Sequence, residues 1–472
     1  MNLAWRGVDL SKHYDLIILG GGTAGFAAAH TADRQRARTL MINDNAVGFA
    51  GTCVNVACIP TKHLLYAAEL VYRIRKHRYP GLNSSVSIDF RKLIEAKNRL
   101  VEKLRDKDRA LLSTMSHVSF AVGTGKFVSK TELLVNGETY TSDRFLIATG
   151  SSPSIPNVTG LRDLDYLTNV QALNLRKLPA SLIIIGGGPA GVEFAQMFCR
   201  FGTNVCVLQR ADRIVPREEP ELSALLARCL LNDGVEIYQS VQVTGAEEKG
   251  REKKITAVVE GAERAFSAEH VLVTAGRHPN TGGLGLENLG VTLGSGREIV
   301  TDGRMRATDN VWAAGDVTGE PMLESVAAKQ GWVAATNALA SVRTSVKMDY
   351  RVVPHAVFTD PQLASVGITE REALESRIRV NSAIVPLGLT AKAQIINDAR
   401  GAIKVVAEVD SQRIVGVHLL APLAADLLHE AVMIVKNGMT AEDVIDTLHV
   451  FPTLSDAFKM AASYVESRLN KT

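Results

Sequence analysis

Short apolar runs alternate along the chain with stretches of helical period, and glycines punctuate the joins, which is how α/β sheets with crossover helices read. The first unit is Leu16–Leu19, then Gly20-Gly21-Gly22-Thr23-Ala24-Gly25, then a helix through Ala29. The pattern returns 166 residues later: Leu182–Ile185, then Gly186-Gly187-Gly188-Pro189-Ala190-Gly191, then a helix carrying Glu193 and Ala195. A duplicated βαβ unit is the main organising signal. Between the copies, Leu64 to Leu112 predicts two long helices broken at Tyr79-Pro80-Gly81. Beyond them, strands are predicted at 403–409 and 414–420, and helices at 424–437 and 456–469. Clusters of turn residues divide the chain into 1–150, 151–280, 281–347 and 348–472. The expected fold class is α/β, with two Rossmann-like dinucleotide-binding domains and a C-terminal α+β domain that has no glycine loop of its own.

Composition narrows the function. At 472 residues the chain is too long for one ordinary core. Lys and Arg number 53 against 50 Asp and Glu, a net charge of +3 that argues against a nucleic-acid or membrane-surface partner. No window approaches the roughly 18 apolar residues that a membrane span requires. Met1 to His13 has neither an apolar core nor a small-residue cleavage site, so no secretory leader is expected. Five cysteines are too few, and odd in number, for a disulfide-stapled scaffold. A cytoplasmic, multidomain enzyme is the expectation.

The glycine loops carry the first chemistry. After a strand, the first glycine permits the tight turn and the second lets the backbone approach a pyrophosphate. The third lets the helix pack closely, and the helix N-terminus favours the negative charge. Gly20, Gly22 and Gly25 hold these places in the first copy, and Gly186, Gly188 and Gly191 in the second. Two loops imply two dinucleotides. The acid expected at the end of the next strand, where it would hold ribose hydroxyls, is replaced in the first unit by Asn43, with Asp44 beside it. In the second, Gln209-Arg210 stands there and Arg213 follows, which favours the 2′-phosphate of NADPH over NADH. A plain surface Arg pair is the competing reading.

The second constellation is the run 51–62, Gly51-Thr52-Cys53-Val54-Asn55-Val56-Ala57-Cys58-Ile59-Pro60-Thr61-Lys62. Two cysteines so spaced, leading into a helix, can form a strained, reducible disulfide whose thiolate the helix N-terminus stabilises. Zinc binding competes, but it needs about four ligands and only His63 joins the two thiols nearby. No metal ligand set is therefore assigned. Cys199, Cys206 and Cys229 lie on apolar patterns and read as inert buried thiols.

Taken together, these motifs resemble the flavoprotein pyridine nucleotide-disulfide oxidoreductases, which include dihydrolipoamide dehydrogenase, glutathione reductase and mercuric reductase. The likeness runs from about Tyr14 to Tyr464. It includes Ala148-Thr149-Gly150, Thr274-Ala275-Gly276-Arg277, Ala314-Gly315-Asp316 and Phe358-Thr359-Asp360-Pro361. It implies FAD on the first unit, with Gly51, Thr52, Thr149, Gly150 and Gly276 at the cofactors and Asp316 on the ribityl chain. It implies NAD(P)H on the second unit, NADPH being favoured and NADH an alternative. Cys53 would exchange with substrate, Cys58 would be the thiolate against the flavin, and Lys62 and Glu193 would pair where hydride arrives. Without the surrounding motifs, an ordinary surface pair would describe Lys62 and Glu193 equally well. Residues 348–472 would form the dimerisation domain of a homodimer.

The chain also departs from the pattern. Disulfide-reducing members carry a His-Pro, followed by an acid, that works as acid and base on the partner's cysteines. Here Phe451 stands in the place of that base and Asp456 in the place of the acid. His449, two residues upstream, is the candidate replacement. Mercuric reductases, by resemblance, have an aromatic residue near the Phe451 position. They also deliver mercury through a vicinal cysteine pair in the tail, and Tyr464 to Thr472 has no cysteine; nor does the stretch before Tyr14 carry a Cys-x-x-Cys. The leading expectation is an enzyme passing electrons from NADPH through Cys53 and Cys58 to a small-molecule or metal-ion acceptor, mercuric ion first. The alternatives are a dihydrolipoamide-dehydrogenase-like protein without the usual base, and a redox sensor with little turnover.

Overall fold

The computed structural model describes residues 13–469 apart from 45, 77–78, 80, 251 and 341–344. All but His13 of the stretch read for a leader lies outside the described residues, as does Pro80 of the helix break. The chain divides into two compact units. One is drawn from Met1–Thr61, Glu95–Ser154 and Gly276–Asp349, the other from Lys62–Ile94, Ile155–Ala275 and Tyr350–Thr472, taking the described residues within those bounds.

The first unit is built on a five-stranded parallel sheet, ordered Val311–Ala313, Phe145–Ile147, Leu16–Leu19, Thr39–Asn43, Val118–Val122. Leu16–Leu19 is apolar throughout because both faces of its sheet are covered. Helix Thr23–Arg34 answers it with Ala24, Ala28 and Ala32, small enough to lie close against the strands. A four-stranded sheet of His13–Tyr14, Glu138–Ser142, Glu132–Val135 and Gly125–Phe127 completes the unit.

The second unit repeats the device. Its parallel sheet runs Glu236–Tyr238, Asn204–Leu208, Ser181–Ile185, His270–Val273. Helix Pro189–Phe201 packs on it, with Ala195 fully buried as Ala29 is in the first copy. An antiparallel meander spans 242–268. The C-terminal part is a five-stranded antiparallel sheet, His355–Val357, Gln362–Gly367, Ile414–Ala421, Ala402–Glu408, Val380–Pro386. Helices Ala424–Asn437 and Ser455–Leu469 pack on this sheet and share its core.

The expected α/β class, with two dinucleotide-type sheets and an α+β C-terminal part, is therefore what the chain folds into. The predicted helix pair is Cys58–Lys76 and Phe90–Thr114. The first of these turns Leu64, Leu65, Ala68 and Val71 into the core that also holds Leu182 and Val207. Among the described residues no helix is long and apolar enough to cross a membrane.

Candidate active site

Both glycine loops adopt the same backbone. Gly20 has φ +122° and Gly186 has φ +112°, values that suit glycine alone. A Cβ on Gly25 would lie 1.9 Å from the Gly20 carbonyl oxygen, and one on Gly191 would lie 1.9 Å from that of Gly186. Gly22 and Gly188 cap the two helices without any side-chain hydrogen bond. The first-turn N–H groups are thus left without a capping side chain, which is the arrangement an anionic pyrophosphate requires. A Cβ on Gly188 would meet nothing within 4 Å, and one on Gly22 nothing nearer than Gly51 at 3.6 Å. Both loops therefore fit the phosphates of a dinucleotide.

The residues standing where an acid was expected close these loops. Gly21 N–H donates to Asn43 Oδ1 at 2.9 Å, and Asn43 Nδ2 donates to the Asp44 carbonyl. Asn43, an amide, is buried, and Asp44, the one carboxylate of the pair, is exposed. In the second unit Gly187 N–H donates to Gln209 Oε1 at 3.0 Å, and Gln209 Nε2 donates to the Arg213 carbonyl at 3.0 Å. Arg210 is exposed. The Arg213 guanidinium meets Asp212 and the Pro216 carbonyl.

Cys53 lies on helix Gly51–Val56, and Cys58 opens helix Cys58–Lys76; both are half-buried. At a helix N-terminus the dipole favours the thiolate form of Cys58. Asn55 Nδ2 ties the preceding turn by donating to the carbonyls of Phe49 and Gly51, at 2.7 and 2.8 Å. In the same unit Arg277 donates to the Ser151 hydroxyl at 2.7 Å, and Ser151 donates to Asp316 at 2.5 Å. Burial pulls Arg277 below the ordinary arginine value, while the charges of Asp316 and Cys58 oppose that pull. The Thr149 hydroxyl donates to the Asn280 carbonyl, and Gly150 and Gly276 both take the left-handed backbone. The remaining cysteines are half-buried rather than fully so. Burial raises Cys199 and Cys229 to about 11 and Cys206 to about 12, which agrees with inert thiols.

Lys62 and Glu193 come together across 131 residues of sequence. The ammonium meets both carboxylate oxygens, at 2.9 and 2.8 Å, and Glu193 is buried. The Phe358 N–H also donates to Glu193 Oε1 at 2.8 Å, and Lys62 Nζ lies 4.7 Å over the Phe358 ring. Phe358 was visible in the sequence only as part of a motif.

At the C-terminal end, Phe451 is 72% exposed and its neighbours Leu448 and Val450 are exposed too. His449 is held by two partners. Its Nδ1 meets the Thr447 carbonyl and its Nε2 meets Glu430, each at 2.9 Å, so neither ring nitrogen is left for an incoming group. Asp456 instead lies in the first turn of helix Ser455–Leu469, where a carboxylate favours the positive end of the dipole. Glu430 was missed by sequence reading because it sits on another helix, Ala424–Asn437. Among the described residues no group of three or more His, Cys, Asp and Glu could hold a metal ion.

Residues 14–331 match the family described as pyridine nucleotide-disulphide oxidoreductase, and residues 353–462 match its dimerisation domain. A mercuric reductase from Lysinibacillus sphaericus is 35% identical over 452 residues, covering 95% of this chain and 82% of the relative. A dihydrolipoyl dehydrogenase from Thermus scotoductus is 34% identical over 455 residues, covering 96% of this chain and 97% of the relative. Among solved structures, the Cu(II) complex of the HOCl-induced flavoprotein disulfide reductase RclA from Escherichia coli superposes with a TM-score of 0.85 at 28% identity. That match covers 96% of this chain and 99% of the other.

Proposed function

The chain belongs to the pyridine nucleotide-disulphide oxidoreductases, FAD-dependent enzymes that draw on NAD(P)H, and on that premise we propose that it reduces a soft metal cation, Hg(II) first, with NADPH. The observation that carries this reading is the C-terminal segment. Phe451 cannot carry a proton, and His449 already meets Glu430 and the Thr447 carbonyl. A dithiol must lose a proton to attack a disulfide, and a leaving sulfur must regain one. A positioned imidazole gives such steps a factor of about 10² to 10⁴. A soft cation binds thiolates directly and does not need that proton transfer. The mercuric reductases among the relatives, and the Cu(II) complex of the structural neighbour, support a metal-ion acceptor.

The residues divide the work as follows. The Gly20–Gly25 loop and the start of helix Thr23–Arg34 hold the FAD pyrophosphate, and Asp316, oriented by Ser151, holds the ribityl hydroxyls. The Gly186–Gly191 loop, with Gln209 and Arg210 behind it, holds NADPH. FAD, when bound, supplies the chemistry that accepts two electrons as hydride and returns them to sulfur. Lys62, neutralised by Glu193, presents a fixed ammonium where hydride arrives. Cys58 is kept as thiolate by its helix and by the Arg277 charge, and Cys53 takes the acceptor. Residues 348–472 join two copies into a homodimer, working in the cytoplasm.

An acceptor screen on the purified yellow protein tests the proposal. NADPH-driven turnover with Hg(II) or Cu(II), and poor turnover with lipoamide and glutathione disulfide, is the expected result. The second reading, a dihydrolipoyl-dehydrogenase-like enzyme, is supported by the dihydrolipoyl dehydrogenase that is 34% identical over 96% of this chain. High lipoamide activity that disappears in His449→Ala would establish that reading and overturn the first.

A further inference from the structure

One face of helix Pro189–Phe201 grips a single segment of the C-terminal part. Glu193, Gln196 and Arg200 recur at the spacing of one helical stripe, and all three are buried. Buried polar side chains of this kind require partners; Lys62 meets Glu193, Asp233 meets Gln196 at 3.0 Å and Arg200 at 2.8 Å, and Phe358–Pro361 supplies the rest. Phe358 N–H donates to Glu193 at 2.8 Å. Asp360 N–H donates to Gln196 Oε1 at 2.7 Å, and Gln196 Nε2 returns a bond to the Asp360 carbonyl at 2.9 Å. Arg200 reaches the Asp360 carboxylate at 2.9 Å and its carbonyl at 3.0 Å. Arg400 adds two contacts of 3.1 Å to the same carboxylate from the other side.

The segment is therefore pinned at two backbone points, Phe358 and Asp360, with one peptide unit's freedom between them removed. The pinned residue is the one whose ring lies under Lys62. The ammonium is thus held from two directions, by the Glu193 carboxylate and by an aromatic face. An ion pair alone would leave a long lysine free to swing about the carboxylate; the ring removes that freedom.

We propose that Phe358 is a positioning residue for the Lys62–Glu193 pair, and that Gln196 acts through it by fixing the Phe358–Asp360 backbone. This rests on the reading of Lys62 and Glu193 as the place where hydride arrives. The nucleotide half and the acceptor half of turnover then respond differently to the clamp. Loosening Phe358 slows electron entry from NADPH, and electron exit through Cys53 is untouched.

The test uses the FAD-loaded protein and three variants. Phe358→Leu removes the ring and keeps the backbone bond. Gln196→Met removes both bonds to Asp360 together with the 3.0 Å bond to Asp233. Phe358→Tyr keeps the aromatic face. NADPH-driven bleaching of the flavin absorbance, followed by stopped flow, is expected to slow about tenfold in Phe358→Leu and in Gln196→Met, within the range a lost cation–π contact allows. Phe358→Tyr is expected to stay within about twofold of the parent, and reoxidation by acceptor to be unchanged in all three. Crystals of Phe358→Leu are expected to show Lys62 Nζ withdrawn from one or both Glu193 oxygens. Unchanged bleaching, a loss that Phe358→Tyr shares, or an equal loss in reoxidation would overturn the proposal. If the parent itself is not bleached by NADPH or NADH, the reading of the site fails. The crystallographic distance then still decides the clamp, because an undisturbed Lys62–Glu193 pair in Phe358→Leu refutes it.

Discussion

The two glycine loops share a backbone but not a surrounding. In the first unit the start of the Cys53 helix closes over the loop: a Cβ on Gly51 would come within 2.6 Å of Gly22 Cα. In the second unit nothing lies within 4 Å of the equivalent place on Gly188. One loop is roofed and the other open. A roofed loop suits a cofactor that stays, and an open one suits a nucleotide that enters and leaves at every turnover. Identical local sequence rules thus give two different surroundings, and the difference comes from what the chain lays on top.

The strongest way to break the comparison is to fill the third glycine of each loop. Gly25→Ala and Gly191→Ala place a methyl the same 1.9 Å from a carbonyl oxygen, so both destroy their loop. Gly25→Ala is expected to yield colourless protein, whereas Gly191→Ala should remain yellow and lose essentially all reduction by NADPH. Absorbance of the purified variants, before and after adding nucleotide, separates the two; a yellow Gly25→Ala would remove FAD from the first loop.

Next in size is the sulfur beside the roofed loop. Two-electron reduction of the holoprotein is expected to produce a long-wavelength absorption from the Cys58 thiolate, and Cys58→Ser to abolish it. If the band persists in that variant, another thiol is the one against the flavin.

The open loop is where the proposed nucleotide choice is tested. Gln209 joins Gly187 N–H to the Arg213 carbonyl. A carboxylate in its place keeps the first bond, repels that carbonyl and repels a 2′-phosphate. Gln209→Glu should therefore move the ratio of kcat/KM for NADPH over NADH toward NADH by about tenfold, the worth of one charge-assisted contact. An unchanged ratio would show that the phosphate, if bound, lies elsewhere.

The smallest expected effect lies behind the open loop, where Val215 N–H donates to the Gly187 carbonyl. Three residues on, Glu218 pairs with His355 at 2.7 Å and accepts from Ser365 at 2.6 Å. Burial acts to raise Glu218, but the hydrogen bond and charge of His355 outweigh it and leave the carboxyl below its usual 4.5. Burial acts to lower His355, and Glu218 outweighs it, leaving the ring above its usual 6.5. The raised ring contributes stability that is complete below 6.5 and fades as pH rises through its folded value. The depressed carboxyl contributes above 4.5 and fades as pH falls through its own folded value. His355→Gln should accordingly lower Tm by a few degrees near neutral-to-acid pH and by less in alkali. Melting curves of both proteins at about pH 6 and about pH 9 measure it; an equal loss at both would mean that the pair carries no proton-linked stability.

Much of this protein is legible in its sequence, and the legible parts are the local ones. A strand of four apolar residues, a glycine forced to positive φ and a helix without a capping side chain are dictated within about ten residues. Both glycine loops could therefore be read directly, as could the start of a helix beside the cysteine pair. Two of the five strands of the C-terminal sheet and its two helices follow from period, with ends that agree to within a residue; the other three strands and the antiparallel pairing did not come from it.

Apart from the Lys62–Glu193 pair, which the family resemblance implied, the sequence did not supply contacts between residues far apart in the chain. That Asn43 and Gln209 close their own loops depends on where the next strand ends. That Phe358 stands under Lys62, 296 positions earlier in the numbering, depends on a helix face that neither residue belongs to. The sequence offered Asp456 only as the acid that follows the Phe451 position, and packing brought Glu430 to His449 from a different helix. Propensity and patterning act through neighbours along the chain, and they determined the elements. Pairing of buried charges acts through space, where each carboxylate takes whichever cation or amide the packed core brings within about 3 Å, so only the tertiary structure decided the partners.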